Sequence, residues 1–445
     1  MSERVVIIGG DAGGMTAVSQ VRRRKPDAEI VALERGRWTS YSACGIPYVV
    51  AGIVQGGVEQ LVVRSPEQHR RNGVDVRMGH EVTAIDIDRR SVSVRDHHDD
   101  RSYQLNFDHL LIGTGGAPIR PPMPGIELPF VQGVQNLEDA EVLLEYVERA
   151  GCRRIVIVGG GYIGLEMADA FLARGCTTTI VDRSSHPLAL LDDDTGALLA
   201  GVLSDHGIDL RLETVVEGFE PGAVHTAAGA IPADLVVLGI GVAPNSQLAR
   251  DAGIDLGVKD AIRVDERQQT SADGVWAAGD CCESTHLISG ERVHIALGTY
   301  ANRQSRVAGI NIGGGEALMR PVLGTAITKL CDTEVAVTGL NARAAASAGF
   351  DAFSQITEST TTAGYYPTAS RVTVKLVAER GTGRLLGAQI IGGPGSAKRI
   401  DTCAVALTAG MDLDQLVDLD LAYAPPFSPL WDPIATAARE TLKQL

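Results

Sequence analysis

Apolar, β-branched runs recur along the chain, and two of them pass straight into glycine-rich stretches. Val5–Ile8 precedes Gly9-Gly10-Asp11-Ala12-Gly13-Gly14, and Ile155–Val158 precedes Gly159-Gly160-Gly161-Tyr162-Ile163-Gly164. Continuous apolar runs of this kind predict strands buried on both faces of a parallel sheet. Each glycine stretch opens a helical pattern, Met15–Arg24 in the first copy and Leu165–Arg174 in the second. The offset between copies is the same at both ends, from Gly9 to Gly159 and from Gly14 to Gly164. The chain therefore contains a strand–turn–helix unit twice. Two further runs, Asp108–Ile112 ahead of Gly113-Thr114-Gly115 and Val275–Ala278 ahead of Gly279-Asp280, predict strands that end in tight turns.

A lone glycine pattern could be an ordinary strand–turn–helix bend. Here each copy has an acid at the end of its next strand, Glu34 after Glu29–Leu33 and Asp182 after Thr179–Val181. That context predicts a dinucleotide site. Glycine lets the backbone approach a pyrophosphate, the helix N-terminus supplies partial positive charge, and the acid bonds ribose hydroxyls. The second copy is a full match at Gly159, Gly161 and Gly164, whereas the first has Asp11 at the middle position. Two such sites suggest two cofactors, and a resident flavin with an exchanging nicotinamide fits the arrangement. The turns at Thr114-Gly115 and at Asp280 flank the second repeat, as two returns of an interrupted flavin domain would. Asp280 could bond the ribityl chain or merely cap the next helix. Asp182 favours NADH, and the adjacent Arg183 leaves NADPH open.

Composition narrows the reading. The 445 residues carry 40 Lys+Arg against 55 Asp+Glu, a formal charge of −15 that argues against nucleic acid as a partner. No apolar run is long enough to span a membrane. Met1-Ser2-Glu3-Arg4 lacks the order of a signal peptide. The seven cysteines form no spaced framework, so a reduced, cytoplasmic protein is expected. No metal-ligand spacing stands out.

One cysteine has chemical context. Cys44, in Ser40-Tyr41-Ser42-Ala43-Cys44-Gly45-Ile46-Pro47-Tyr48, falls at the start of a predicted second helix, where the dipole would favour the thiolate and lower the thiol pKa. A second cysteine five positions on would make an internal redox disulfide, but that residue is Val49. The partner of Cys44 is then a substrate thiol, a sulfenic acid or a persulfide. The other six cysteines read as packing residues, including the vicinal pair Cys281-Cys282.

These blocks resemble the single-cysteine branch of the pyridine nucleotide-disulfide oxidoreductases, and within it the coenzyme A-disulfide reductases. The resemblance runs through the whole chain. It includes Gly241-Val-Ala-Pro244-Asn245, Leu297-Gly298-Thr299, Gly364-Tyr365-Tyr366-Pro367 and Leu421-Ala-Tyr423-Ala-Pro-Pro-Phe-Ser-Pro. It implies an α/β fold with two Rossmann-like domains, the second inserted in the first. FAD would take residues 1–117 and 246–325, NAD(P)H residues 118–245, and an α+β C-terminal domain, 326–445, would form a homodimer.

By position, the resemblance puts FAD on Gly9, Gly10, Ala12, Gly13, Gly14, Glu34, Arg35, Ser42, Val82, Thr114, Gly115, Asp280, Leu297, Gly298 and Thr299. NAD(P)H would lie on Gly159, Gly161, Tyr162, Ile163, Gly164, Glu166, Asp182, Arg183 and Gly241. Cys44 would form a mixed disulfide with coenzyme A, while Tyr423, with Tyr365 or Tyr366, reaches in from the partner subunit to protonate the leaving thiol. Thr16, Gln20 and Arg23, on one helical face, would contact coenzyme A together with Ser40 and Arg71. Ala43 departs from the asparagine common in coenzyme A reductases.

NADH oxidases or peroxidases share the scaffold, but they carry a histidine in the first glycine loop where this chain has Ala12. They are the main rival, and persulfide or polysulfide reductases, which coenzyme A reductases can resemble closely, are a second. A non-catalytic flavoprotein fits poorly with Cys44, Glu166, Asp280 and Tyr423 all in register.

Overall fold

The computed structural model describes residues 2–149 and 151–445. The first apolar run forms the strand Arg4–Ile8 at the centre of a five-stranded parallel sheet. Its order is Val275–Ala277, His109–Ile112, Arg4–Ile8, Glu29–Glu34, Asp75–Met78. Successive strand residues face opposite sides, and both sides are covered. Val5 and Ile7 pack under the helix Ala12–Arg24 with Met15, Val18 and Val21. Val6 and Ile8 pack on the other face with Val92, Val94 and Leu105 from an antiparallel meander over residues 80–106. This two-sided burial is why the run shows no polar alternation.

The second copy repeats the design. Arg154–Val158 is central in a parallel sheet ordered Asp209–Arg211, Thr177–Val181, Arg154–Val158, Leu235–Leu238, Val131–Gln132. The helix Tyr162–Ala173 follows it. Between the two sheets the chain crosses twice, and the crossing segments Gly116–Pro118 and Val242–Pro244 pair antiparallel. Asn245 clasps the turn beside them: its amide donates to the Thr114 carbonyl at 3.0 Å, and Thr114 Oγ1 donates to the Asn245 carbonyl at 2.6 Å.

Residues beyond 325 form an antiparallel sheet of five strands, ordered Ala326–Leu330, Thr333–Gly339, Leu385–Gly392, Arg371–Glu379, Ala352–Thr360. The helices Ile400–Ala409 and Pro433–Leu442 supply much of its core. This unit grips the second parallel sheet through a buried ion pair. Lys375, 4% exposed, places Nζ 3.0 Å from Asp192 Oδ2 and 2.7 Å from Asp194 Oδ1. Gln389 donates to Asp192 Oδ2 at 2.8 Å. The expected α/β fold with a C-terminal α+β unit is the one observed.

Candidate active site

The two glycine turns have the same geometry. Gly9 and Gly159 take φ of +103° and +102°, a region that favours glycine. A Cβ on Gly14 would overlap the Gly9 carbonyl, and one on Gly164 the Gly159 carbonyl. Glycine there brings helix and strand into direct contact. The acids brace the turns. Glu34 accepts from Gly10 N and Gly36 N, both at 2.7 Å. Asp182 accepts from Gly160 N at 2.6 Å and Ser184 N at 2.7 Å. Arg35 and Arg183, each following its acid, are exposed.

The loops leave room for ligand. A Cβ on Gly13 would come no closer than 3.5 Å to the Ala278 carbonyl and 3.6 Å to Ser305 Oγ, and one on Gly161 would meet only the Gly239 carbonyl, at 3.5 Å. Ser305 Oγ is buried without a hydrogen-bond partner beside the first loop, and so is Tyr162 Oη in the second. Unpaired buried hydroxyls beside open glycine cradles fit polar ligands such as dinucleotides. Around the first loop, Gly115 and Gly279 take positive φ, Val82 is buried in the adjoining meander, and Gly298 and Thr299 open the helix Gly298–Ile312, with Leu297 at its N-cap.

Carboxylates converge on this centre. Burial, reinforced by Glu34 and Asp280, pushes Asp11 up to about 6, although the Tyr41 and Ala12 amides pull it down. Burial likewise raises Asp280 and Glu166. Glu166 accepts from Thr328 Oγ1 at 3.3 Å and, with Tyr48, Asp169 and Lys329, lines a crevice between the helices Ile46–Val50 and Tyr162–Ala173.

Cys44 is exposed, whereas Cys152, Cys176, Cys281, Cys282 and Cys403 are buried and Cys331 is half-buried. Its local structure corrects the expectation of a lowered pKa. Cys44 sits in a 3₁₀ turn, Ala43–Gly45, and the helix that follows, Ile46–Val50, has only five residues. So short a helix has little dipole to offer. Desolvation by the surrounding protein, then the charges of Glu166, Asp280 and Asp11, push the thiol up instead. Removing one of those charges has a testable sign. Glu166→Gln takes away negative charge that disfavours the thiolate, so iodoacetamide should alkylate Cys44 faster at neutral pH. The rate profile should move to lower pH, and the gain should fade as Glu166 itself protonates in the native protein. An unmoved profile would show that Glu166 does not act on the thiol.

The other predicted residues fall into two groups. Thr16 donates to Asn302 Oδ1 at 2.7 Å, which joins the helix Ala12–Arg24 to the helix Gly298–Ile312. Gln20 accepts from Arg24 at 2.9 Å. Arg23 is exposed on the first helix and Arg71 on the helix Pro66–Arg71. Arg22, part of the same basic run, is occupied by the Pro26, Ala28 and Gly73 carbonyls. The sequence reading missed the contact of Thr16 with Asn302, which is exposed on the helix Gly298–Ile312. Nothing local in the sequence marks it, because the helix pairing that makes it is long-range.

Tyr365, Tyr366 and Tyr423 lie on neighbouring C-terminal loops, joined by Ala363 N donating to the Pro425 carbonyl at 3.0 Å. Arg399 bonds the Thr361 and Phe427 carbonyls at 2.7 and 2.8 Å and so fixes both loops. Tyr365 is 78% exposed and Tyr423 47%. Among the described residues, no hydrogen bond links these tyrosines to the Cys44 segment.

Paired dinucleotide loops, a single exposed cysteine between them and a C-terminal antiparallel sheet define a flavin-dependent NAD(P)H oxidoreductase. Residues 3–305 match the pyridine nucleotide-disulphide oxidoreductase model, and residues 325–433 match that family's dimerisation-domain model. The chain belongs to this family, whose cofactors are FAD and NAD(P)H.

It is 39% identical over 445 residues to the NAD(P)H coenzyme A polysulfide/persulfide reductase of Pyrococcus horikoshii, covering 99% of this chain and 98% of that one. It is 34% identical over 449 residues to an NADH oxidase of Methanocaldococcus jannaschii, covering 99% of each. Among solved structures, an NAD-dependent persulfide reductase from A. fulgidus superposes with a TM-score of 0.96 at 38% identity, covering 99% of this chain and 83% of that one. No helix among the described residues is long and apolar enough to cross a membrane.

Proposed function

We propose that the protein reduces a sulfur–sulfur bond carried by coenzyme A, as the disulfide or the persulfide, through Cys44. The observation that carries this reading is the single exposed cysteine set among Glu166, Asp280 and Asp11, with no second cysteine beside it. A lone cysteine cannot close an internal disulfide, and in this reading its oxidised form is the mixed disulfide with substrate rather than a sulfenic acid. Residues 1–117 with 246–325 hold FAD on Gly9–Gly14, Glu34 and Asp280, and residues 118–245 hold NAD(P)H on Gly159–Gly164, Glu166 and Asp182. A flavin held there would supply the two-electron relay from NAD(P)H to sulfur.

Cys44 attacks the coenzyme A sulfur of the substrate as the thiolate, forms the Cys44–coenzyme A disulfide and expels coenzyme A thiolate from the disulfide or hydrosulfide from the persulfide. Two electrons from NAD(P)H then cleave the mixed disulfide, restoring the Cys44 thiolate and releasing coenzyme A thiolate. In a homodimer built on residues 326–445, the partner subunit's Tyr423, with Tyr365 or Tyr366 beside it, gives the proton that turns that thiolate into free thiol. Thr16, Gln20, Arg23, Ser40 and Arg71 hold the nucleotide end of coenzyme A, with the exposed arginines facing its phosphates. The name of the Pyrococcus relative supports the persulfide form, and the exposed Arg183 supports use of NADPH beside NADH. A reduced, cytoplasmic setting suits seven free cysteines.

The deciding assay is anaerobic oxidation of NADH and NADPH by the FAD-loaded protein, alone, with coenzyme A disulfide, and with polysulfide plus coenzyme A. Disulfide-dependent loss of NADH with release of free thiol is expected. Turnover that needs polysulfide would select the persulfide form. Turnover that appears only with oxygen would replace this reading by an NADH oxidase.

A further inference from the structure

Ser40 lies four residues before Cys44 with φ +50°. A non-glycine residue seldom holds that conformation unless its surroundings impose it. Here they do. Ser40 N donates to the Gly10 carbonyl at 3.0 Å, and the Ser40 carbonyl accepts from Val63 N at 2.7 Å. Thr39 Oγ1 donates to the same Gly10 carbonyl, and Tyr41 N donates to Asp11 Oδ1 at 3.1 Å. One side of this segment is thus stitched to the first glycine loop. On the other side, Ser40 Oγ lies 2.8 Å from His69 Nε2.

His69 belongs to the helix Pro66–Arg71, which opens with a Ser65/Gln68 capping box and ends at the exposed Arg71. The imidazole is only 3% exposed. Burial and the nearby Arg64 lower its pKa to about 4, so the ring is neutral at working pH. An apolar residue could dock so short a helix equally well. The imidazole adds a polar atom aimed at a strained serine on another segment.

We infer that His69 is a positioning residue for the coenzyme A substrate, fixing the Ser40 hydroxyl and holding the helix that carries Arg71 in register with it. The inference rests on the coenzyme A reading above. It adds a residue that touches neither substrate nor cofactor but sets the geometry of two groups that would.

The test uses FAD-loaded enzyme with coenzyme A disulfide. His69→Phe keeps the ring volume and removes the hydrogen bond. It should raise KM about threefold to tenfold, the range of one neutral hydrogen bond, with kcat unchanged. FAD reduction by NADH, followed by stopped flow, should be unaffected. Ser40→Ala, which removes the substrate contact as well as the bond to His69, should raise KM at least as much, and the double variant should be no worse than Ser40→Ala alone, because His69 acts through that hydroxyl. His69→Gln, which keeps an amide able to bond Ser40, should recover part of the loss, and it carries the test if the phenylalanine variant does not fold.

An unchanged KM in His69→Phe, or single effects that multiply in the double variant, would overturn the inference. A joint fall of kcat and thermal midpoint without rescue by glutamine would reduce His69 to a packing role. If the wild type does not turn over coenzyme A disulfide, the coenzyme A reading itself has failed, and the inference fails with it.

Discussion

Cys44→Ser is expected to lower NADH oxidation with coenzyme A disulfide by at least ~1,000-fold, while FAD content and the rate of flavin reduction by NADH stay near wild type. The size follows from removing the nucleophile itself. A serine hydroxyl stays protonated at neutral pH and cannot be exchanged with a disulfide, so no covalent intermediate forms. The selectivity follows from the structure. Neither glycine turn uses the Cys44 side chain: the first is braced by Glu34 and the second by Asp182. Of the seven cysteines only Cys44 is exposed, so no other thiol can substitute readily. Stopped-flow reduction by NADH and steady-state disulfide turnover, measured on one preparation, separate the two halves of the reaction. Retained disulfide turnover in the serine variant would remove Cys44 from the mechanism.

The carboxylates around that thiol also show where the sequence was legible. The repeated apolar run, glycine turn and acid could be read because each depends on residues close in the chain. Val5–Ile8 and Ile155–Val158 form strands at the centres of parallel sheets, and Glu34 and Asp182 both brace their turns. The electrostatics of Cys44 could not be read that way. A helix start beside Cys44 suggested a depressed pKa, but the helix is five residues long, and Glu166, Asp280 and Asp11 come from three other segments. Their summed charge depends on long-range packing. The same limit hid the Thr16–Asn302 and Ser40–His69 contacts. It also hid the Lys375–Asp192–Asp194 cluster that fastens the C-terminal sheet to the second parallel sheet, whose partners lie about 180 residues apart in the chain.

Two glycine substitutions should fail in different ways, and the contrast tests whether these turns are cradles or only bends. Gly9→Ala puts a side chain at φ +103° and drives its Cβ into the Gly113 carbonyl. Left-handed backbone alone costs roughly 1–2 kcal/mol. The overlap falls on backbone that pairs the two central strands, since Gly113 N donates to the Ile8 carbonyl at 2.8 Å. Both turn and sheet must shift, and the total should exceed about 4 kcal/mol. The expected result is a markedly lower thermal midpoint and protein purified without FAD.

Gly161→Ala starts from φ −77°, which alanine adopts freely, and its Cβ meets only the Gly239 carbonyl, at ordinary contact distance. Folding and FAD content should therefore be unchanged. In the proposed nicotinamide site the added methyl group would take up space where a pyrophosphate backs onto the helix N-terminus. KM for NADH should rise at least ~10-fold, the loss expected when backbone and anion can no longer approach closely. Flavin content, thermal midpoint and KM for NADH, measured on both variants, give the comparison. Equal folding defects in the two would mean that Gly161 serves packing, and an unchanged KM would place the nucleotide away from this loop.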